Sequence, residues 1–283
     1  MAIFFITGAT GSVGKQVVQS LLENGHQVKA GNRHPGRSQE QFGNSVEAVH
    51  FDFENASTFQ EADGADGVFL LGPSAYPDLY TLLSPFADYL IENKSNRVVY
   101  LSAYGMDDLP ELPFHQQMED KLKQTALDWR IVQPGFFMQN FKNYEGENIE
   151  QRKIIFSPAG EGKTGFISTH DIGKVVAILL TADEYQHQTY VLTGEQTYTH
   201  FEVADMLSEI RGEKVEYANP DQATYRSALS QAGAPDFLAD YMLLIYGLIK
   251  NGKVEETTHN VEKLTGQKPE TLRAALERDF TTG

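Results

Sequence analysis

The sequence predicts an α/β fold with a doubly wound parallel sheet, followed by a smaller and mainly helical C-terminal part. Apolar runs of strand length alternate with helically spaced apolar residues in the first half of the chain, which is typical of parallel strands joined by helices. A glycine-rich turn separates the first strand from the first helix. After residue 138 the alternation fades. A length of 283 residues accommodates one large domain or two smaller ones.

The first predicted strand, residues 2–7, is rich in Ile and Phe, as expected for a strand buried on both faces of a sheet. Residues 12–24 carry apolar side chains at helical spacing, and Gly25 occupies the position of a C-terminal cap. The same patterns predict the rest of the sheet and its helices. The strands are residues 27–31, 46–51, 67–71, 97–102 and 129–133, and the helices are residues 79–93 and 115–126.

The remaining chain gives weaker signals. Residues 139–168 are mixed and aromatic, with glycines that mark loops. Residues 171–180 predict a capped apolar helix, and residues 189–192 predict a strand. From His200 onward the pattern is mainly helical and includes the apolar stretch 237–249.

The amino-acid composition disfavours several classes of protein. The formal net charge of −16 makes a nucleic-acid partner unlikely, because an acidic surface repels phosphates. The chain has no cysteine and no metal-binding histidine spacing, so we expect no metal site. Neither a membrane-spanning run nor a signal sequence is visible, which predicts a cytoplasmic protein that binds no membrane. Residues 1–50, however, carry four basic and three acidic side chains, a balance that suits an anion-binding segment.

The glycine-rich turn reads Thr-Gly-Ala-Thr-Gly-Ser-Val-Gly and spans residues 7–14. Between a strand and a helix, this spacing is typical of a Rossmann dinucleotide site. Gly8 would permit the tight turn, Gly11 the close approach of a diphosphate, and Gly14 the packing of helix on strand. The alternative is a turn with a structural role alone. The predicted cofactor-binding residues here are Gly8, Thr10, Gly11, Ser12, Val13 and Gly14.

The end of the second strand favours NADP(H) over NAD(H). Proteins that prefer NAD place an acidic residue there, whereas this chain has Asn32 followed by Arg33, with Arg37 four residues on. A guanidinium group pairs with the 2′-phosphate that distinguishes NADP. The alternative is that both arginines are ordinary surface charges.

Further cofactor contacts are expected where other strands end, because ligands of open α/β sheets bind at the carboxyl ends of the strands. Asp52 would accept hydrogen bonds from the adenine amino group, with an exposed turn residue as the alternative. The other predicted contacts are Leu71, Gly72, Pro73, Ser102, Pro134 and Gly135.

These features, with LLGPS at 70–74 and WRIVQPGFFMQNF at 129–141, resemble the NmrA-like branch of the atypical short-chain dehydrogenases/reductases. Triphenylmethane reductase, NADPH quinone reductases and azoreductase-like proteins are the members it is most similar to. The resemblance implies a nucleotide-binding domain of residues 1–138 plus 166–196. It also implies a smaller substrate-facing domain of residues 139–165 plus 197–283.

Ordinary members of this superfamily use a Tyr-x-x-x-Lys pair, which is absent here, because the residue four positions after Tyr104 is Asp108. On the next helix the chain has His115 followed four positions later by Glu119, a pattern that the triphenylmethane reductase-like members share. Tyr104 and His115 are therefore the candidate catalytic residues. The alternatives are a packed tyrosine and a capping or surface histidine.

Without the lysine, an acceptor that takes hydride directly is favoured over a ketone, because it needs little acid catalysis. Phe136, Phe137, Phe141 and Tyr144 follow the sixth strand and would wall a slot for a planar aromatic molecule, with the core as the alternative. The expected function is an NADPH-dependent oxidoreductase acting on a quinone, azo compound, dye or enone.

A redox sensor that binds NADP(H) without catalysis is the alternative function, and a sugar-nucleotide epimerase is disfavoured because its tyrosine base is missing. The expected partner is a small aromatic substrate. The sequence leaves open whether the chain forms a homodimer. The acidic charge favours neutral or cationic substrates over anionic ones.

Overall fold

The computed structural model describes residues 1–74, 76–93, 95 and 97–281. The strands are β1 (Ile3–Thr7), β2 (Gln27–Asn32), β3 (Glu47–His50), β4 (Gly67–Leu70), β5 (Arg97–Leu101), β6 (Asp128–Pro134), β7 (Ile154–Ile155), β8 (Lys163–Thr164), β9 (Gln188–Leu192), β10 (Tyr198–Thr199) and β11 (Glu216–Tyr217). Seven of these strands form one parallel sheet in the order β3-β2-β1-β4-β5-β6-β9.

Helices cover both faces of the sheet and build most of the C-terminal part. Short 3-10 turns follow at Gly43–Ser45, Ala56–Ala62 and Met106–Asp108, and a π-helical turn lies at Asn148–Arg152. The α-helices are α1 (Gly14–Glu23), α2 (Pro35–Phe42), α3 (Leu79–Glu92), α4 (Phe114–Lys123), α5 (Asn140–Asn143), α6 (Thr169–Thr181), α7 (His200–Arg211), α8 (Gln222–Gln231), α9 (Asp236–Lys250), α10 (Asn260–Thr265) and α11 (Leu272–Phe280).

The two faces of β1 show how the sheet is buried. Phe4 and Ile6 pack in one core cluster with α1 and α6, whereas Phe5 packs on the opposite face with α3 and α4. All three side chains are almost completely buried, which explains why the strand is apolar at successive positions. The strand order reverses at β1, where β4 follows on the other side, so the crevice at the carboxyl ends of β1 and β4 is the expected ligand position.

The C-terminal part has its own cores. Segments that follow β6 pack with α7 and α11 in one cluster, in which Phe141 and Leu207 are buried. A second cluster joins α8 and α9 to the loop after β5 and contains Tyr225 and Tyr246. We propose residues 1–138 plus 166–196 and residues 139–165 plus 197–283 as two domains. Within the second range, α10 returns to the first core through Val261 and Leu264.

The predicted fold class is confirmed, and each strand of the large sheet lies within a few residues of its predicted position. The sequence pattern missed α2, which carries almost no apolar side chains, and the two-residue strands, which are too short to show alternation. Among the helices of the described residues, none is long and apolar enough to span a membrane.

Candidate functional site

The turn between β1 and α1 is shaped by backbone constraints. Gly8 has a φ of +61°, which residues other than glycine rarely adopt. Its carbonyl accepts a hydrogen bond of 2.9 Å from the Gly11 N–H. A Cβ on Gly14 would collide with that carbonyl group, so α1 can begin this close to β1 only with glycine there. A Cβ on Gly11 would meet the Gly8 oxygen at 3.2 Å and no other described atom within 4 Å. Gly11 therefore borders open space.

The N-terminus of α1 is available to an anion. Val13 occupies the N-cap position, and no side chain in the described part of the chain caps this helix. The first N–H groups of a helix lack intrahelical acceptors and lie at the positive end of its dipole. A diphosphate placed against Ser12, Val13 and Gly14 would satisfy them. The geometry of this turn fits the predicted dinucleotide.

The end of β2 is joined to the same turn. Asn32 Nδ2 donates a hydrogen bond of 2.8 Å to Thr10 Oγ1, and Asn32 Oδ1 accepts one of 2.9 Å from the His34 N–H. Arg33 and Arg37 follow and are exposed, and neither forms an ion pair with any residue that the structure describes. Two uncompensated guanidinium groups thus lie just beyond the strand, where a 2′-phosphate would bind.

The ends of β3 and β4 are held by local hydrogen bonds. Thr7 Oγ1 accepts a hydrogen bond of 2.7 Å from the Leu71 N–H, which fixes the ends of β1 and β4 together. A Cβ on Gly72 would collide with a leucine side chain of α3, so Gly72, which Pro73 follows, passes closely over that helix. Asp52 Oδ1 accepts a hydrogen bond of 3.0 Å from the N–H two residues on. Asp52 thus takes the role of a turn residue, the alternative that its sequence position left open, and its contact with adenine stays a prediction.

Beyond β5 and β6, a buried carboxylate is fully paired. Glu119 is 3% exposed, and its Oε1 accepts hydrogen bonds from Ser102 Oγ at 2.6 Å and from Gln133 Nε2 at 2.7 Å. Its Oε2 accepts one of 2.9 Å from Lys123 Nζ. Ser102, a predicted cofactor contact, is therefore directed at Glu119. This network fastens α4 to the carboxyl ends of β5 and β6.

The two candidate catalytic residues have different surroundings. His115 is buried, and its Nδ1 shares a hydrogen bond of 2.7 Å with the Tyr100 hydroxyl. Burial lowers the pKa of His115 to about 4, against a smaller opposing effect of Glu119, so the imidazole is neutral at physiological pH. Tyr104 is half-buried, and burial, then Glu256 and Asp108, raises its pKa. Tyr104 is thus a protonated phenol.

The loop after β6 lies next to the loop after β5. The Tyr104 N–H donates a hydrogen bond of 3.0 Å to the Pro134 carbonyl, and the Gly135 N–H donates one of 2.9 Å to Leu192. A Cβ on Gly135 would lie 2.9 Å from the Gly165 carbonyl oxygen. The close backbone contacts of Gly135 hold the residues that follow it at the carboxyl edge of the sheet. The turn between β1 and α1 lies at the same edge.

The four predicted pocket aromatics lie in four different environments. Phe136 is half-buried with its ring centroid 6.0 Å from that of Tyr246, and Phe137 packs partly against the sheet core. Phe141 is 4% exposed and lies in the core of the C-terminal part, which is the alternative its sequence position left open. Tyr144 is 67% exposed. Of the four, Phe136 alone joins the sheet edge to the tyrosine cluster of α8 and α9.

Residues 8–183 match the NAD(P)H-binding family. The chain belongs to this family. It is 29% identical to the NAD(P)H azoreductase of Xenophilus azovorans, over 95% of this chain and 95% of that protein. These matches confirm the predicted resemblance and a dinucleotide cofactor.

Two solved structures show the same fold. The NADPH-dependent quinone oxidoreductase of Escherichia coli, complexed with NADPH, superposes with a TM-score of 0.88 at 22% identity, over 97% of this chain and 99% of that one. NmrA, a negative transcriptional regulator in complex with NADP, superposes with a TM-score of 0.79 at 14% identity, over 99% of this chain and 95% of that one. The NAD(P)H-binding fold is thus shared with a named oxidoreductase and a named regulator.

Several residues around the site were not found from the sequence. Thr7 and Gln133 are the last residues of two predicted strands, and Tyr246 lies within the apolar stretch that predicted a helix. For Thr7 and Gln133 the only signal was a polar residue at the end of a strand. The residues that they bond are distant in sequence, so the strand pattern alone could not assign those partners.

Proposed function

We propose that this protein is an NADPH-dependent reductase that transfers hydride to a small aromatic acceptor. The observation that supports this most directly is the hydrogen bond from Tyr104 to Pro134, which joins two strand-end loops beside Phe136. Those loops end at the sheet edge that carries the open turn at Gly11. The azoreductase relative is consistent with an acceptor of this class.

The residues around the turn suit NADPH. The uncapped N-terminus of α1 would hold the diphosphate, and Asn32 holds Thr10 beside it. Arg33 and Arg37 would pair with the 2′-phosphate. When bound, NADPH would supply the hydride.

The side chains at the sheet edge favour hydride transfer that needs little acid catalysis. Because its pKa is raised, Tyr104 acts as a hydrogen-bond donor and not as a base. His115 is neutral and holds Tyr100. Phe136 offers an apolar ring against which a planar acceptor can lie. Quinones and azo compounds, which delocalise the electrons they accept, match these properties.

The deciding experiment follows NADPH absorbance in the presence of a panel of quinones, azo compounds, dyes and enones. We expect NADPH consumption with at least one member and much slower consumption of NADH. A protein that binds NADPH but consumes none of it with any acceptor would contradict the proposal.

The similarity to NmrA supports a second candidate, a redox sensor that binds NADP(H) without catalysis. The missing Tyr-x-x-x-Lys pair is compatible with it. Calorimetric titration with NADP⁺ and NADPH, combined with the acceptor panel, distinguishes the two functions. A sensor should bind NADP⁺ and NADPH about equally and consume neither.

A further inference from the structure

A cleft of about 220 Å³ lies between the beginnings of α1 and α6, the short helix α5 and the end of α11. We refer to it as the α1–α6 cleft. None of the described residues that line it is apolar, so it does not suit an aromatic acceptor. Pockets that enclose drug-sized ligands measure roughly 300–1,000 Å³, so this cleft suits a smaller polar molecule. Of its lining residues, the proposed cofactor site uses only Ser12.

Two helix N-termini meet at the α1–α6 cleft. A Cβ on Gly173 would lie 2.5 Å from the Gln16 Cβ, so α1 and α6 pack closely along their first turns. Lys15 of α1 and Thr169 of α6 both belong to these first turns and line the cleft. The positive ends of two helix dipoles therefore lie at the same cleft, where they attract negative charge.

Basic side chains add full positive charges to the lining. Lys15, Lys142 and Arg278 line the cleft, and Asp279 is the one carboxylate among its described residues. Asp279 accepts a hydrogen bond of 3.0 Å from Arg278 Nε. Lys142 and Arg278 each pair with a glutamate that lies outside the lining, whereas Lys15 forms no ion pair with any residue that the structure describes. Lys15 is thus an uncompensated cation in a chain whose net charge is −16.

The lining also contains a hydrogen-bond donor without an acceptor. Gln139 Oε1 accepts a hydrogen bond of 2.9 Å from the Thr169 N–H, which sets the orientation of the carboxamide. Gln139 Nε2 is buried and has no hydrogen-bond partner among the described residues. A buried donor left unpaired is costly, and an acceptor bound against Gln139 would remove that cost.

We propose that the α1–α6 cleft binds a small oxyanion with two or more negative charges, at a position separate from the diphosphate of NADPH. Lys15, Lys142 and Arg278 would donate charge-assisted hydrogen bonds, and Gln139 would donate a neutral one. Phosphate esters and polycarboxylates share this chemistry. The proposal does not depend on reductase activity, since a sensor with the same cleft would bind the same anion.

An anion in the cleft should change the affinity for the cofactor. Ser12 lines the cleft and directly precedes Val13 and Gly14, against which the diphosphate is expected to bind. Two anions near the first turn of α1 repel each other, so each should weaken the binding of the other by the same factor. We expect that factor to be about fivefold. The cleft would thus let an anionic metabolite regulate cofactor occupancy.

The first test uses the full chain saturated with NADP⁺, so that the phosphate positions of the cofactor are filled. Calorimetric titrations at low ionic strength measure the binding of citrate, inorganic phosphate and acetate. We expect one saturable site for citrate and for phosphate, with acetate, which has a single charge, binding at least about tenfold more weakly. The tighter of citrate and phosphate indicates which source of oxyanion the cleft prefers. Absence of saturable binding of both, or equally tight binding of acetate, would overturn the proposal.

A lysine substitution assigns the binding to the cleft. Lys15→Gln should weaken citrate binding about tenfold and leave the free energy of unfolding in urea unchanged, because this lysine has no ion pair to lose. Lys263→Gln is the matched control, since it removes the same charge from an exposed lysine of α10 outside the cleft. It should keep the affinity of the unmodified chain. Equal affinities in the two variants, whether reduced or not, would overturn the assignment.

A second titration separates the cleft from the cofactor site. The apparent Kd of NADPH is measured at increasing citrate concentrations. If both ligands bind together, this Kd should rise about fivefold and then level off. A Kd that keeps rising in proportion to citrate would place citrate at the diphosphate position and overturn the separate site.

Discussion

The nucleotide end and the aromatic end of this molecule are built in opposite ways. The turn at residues 8–14 is made of consecutive residues whose backbone sets its shape, with Gly8 at positive φ and Gly14 against the Gly8 carbonyl. The aromatic end brings Phe136 against α8 and α9, which are far from it along the chain. The first depends on local conformation, whereas the second depends on tertiary packing.

The two ends also differ in charge. At the turn, an uncapped helix N-terminus and the exposed Arg33 are suited to a polyanion. At the aromatic end, the rings of Phe136, Tyr225 and Tyr246 contact one another and carry no formal charge. The comparison teaches that the net charge of −16 does not describe the turn, where an anion can bind.

The largest effect is expected from a pair of glycine substitutions. Gly14→Val places a Cβ against backbone atoms of Gly8 that cannot move away, so it should cost about 3 kcal/mol or more in the free energy of unfolding. Gly11→Val should cost about 1 kcal/mol or less, yet weaken NADPH binding roughly 100-fold because its side chain enters the open space. Urea unfolding and calorimetric titration measure the two quantities.

Similar stability losses in the two variants would show that both glycines serve packing alone. Unchanged NADPH affinity in Gly11→Val would remove the diphosphate from this turn. The two variants therefore test whether Gly14 is needed for the packing of α1 on β1 and Gly11 for the space that the diphosphate would occupy.

We expect the free energy of unfolding to depend on pH through His200, which lies in the core of the C-terminal part. Burial lowers its pKa from 6.5 to about 4. Because the unfolded chain takes up this proton below pH 6.5 and the folded chain only below about pH 4, stability falls as the pH drops through that window. Between pH 7 and pH 5 the loss from this group is about 2 kcal/mol.

His200→Phe keeps an aromatic ring against Tyr217 and cannot be protonated. Urea unfolding should therefore show about 2 kcal/mol less loss in this variant than in the unmodified chain between pH 7 and pH 5. The exposed His170 is the control, and His170→Phe should retain the full loss. Parallel pH profiles for all three proteins would contradict a buried neutral His200.

The same contrast explains what the sequence could predict. The strand-turn-helix at residues 2–24 was predictable because glycine spacing and apolar periodicity act within a few residues. Phe141 and Phe136 are five residues apart and both aromatic, yet one lies in a core and the other beside Tyr246. Only the packing of α7 and α9, which no local pattern encodes, separates them.

At the nucleotide end, the substitution Arg33→Asp should abolish the preference for NADPH over NADH. The new carboxylate would repel the 2′-phosphate and accept hydrogen bonds from the ribose hydroxyls of NADH. We expect the ratio of NADPH to NADH affinity to fall roughly tenfold to 100-fold. Arg226→Asp on α8 makes the same charge change elsewhere and should leave the ratio unchanged. An unchanged ratio in Arg33→Asp would make Arg33 an ordinary surface charge.

The smallest effect is expected from Tyr104→Phe. Because its pKa is raised by burial, Glu256 and Asp108, the phenol cannot serve as a base near neutral pH. General acid–base catalysis contributes about 100-fold or more where it operates. If hydride transfer alone limits the reaction, kcat with the quinone menadione should fall less than about threefold. Tyr144→Phe, at an exposed phenol, serves as the control. A 100-fold loss would make Tyr104 the proton donor for the quinone, and the loops beside Phe136 would then carry acid catalysis as well as binding of the acceptor.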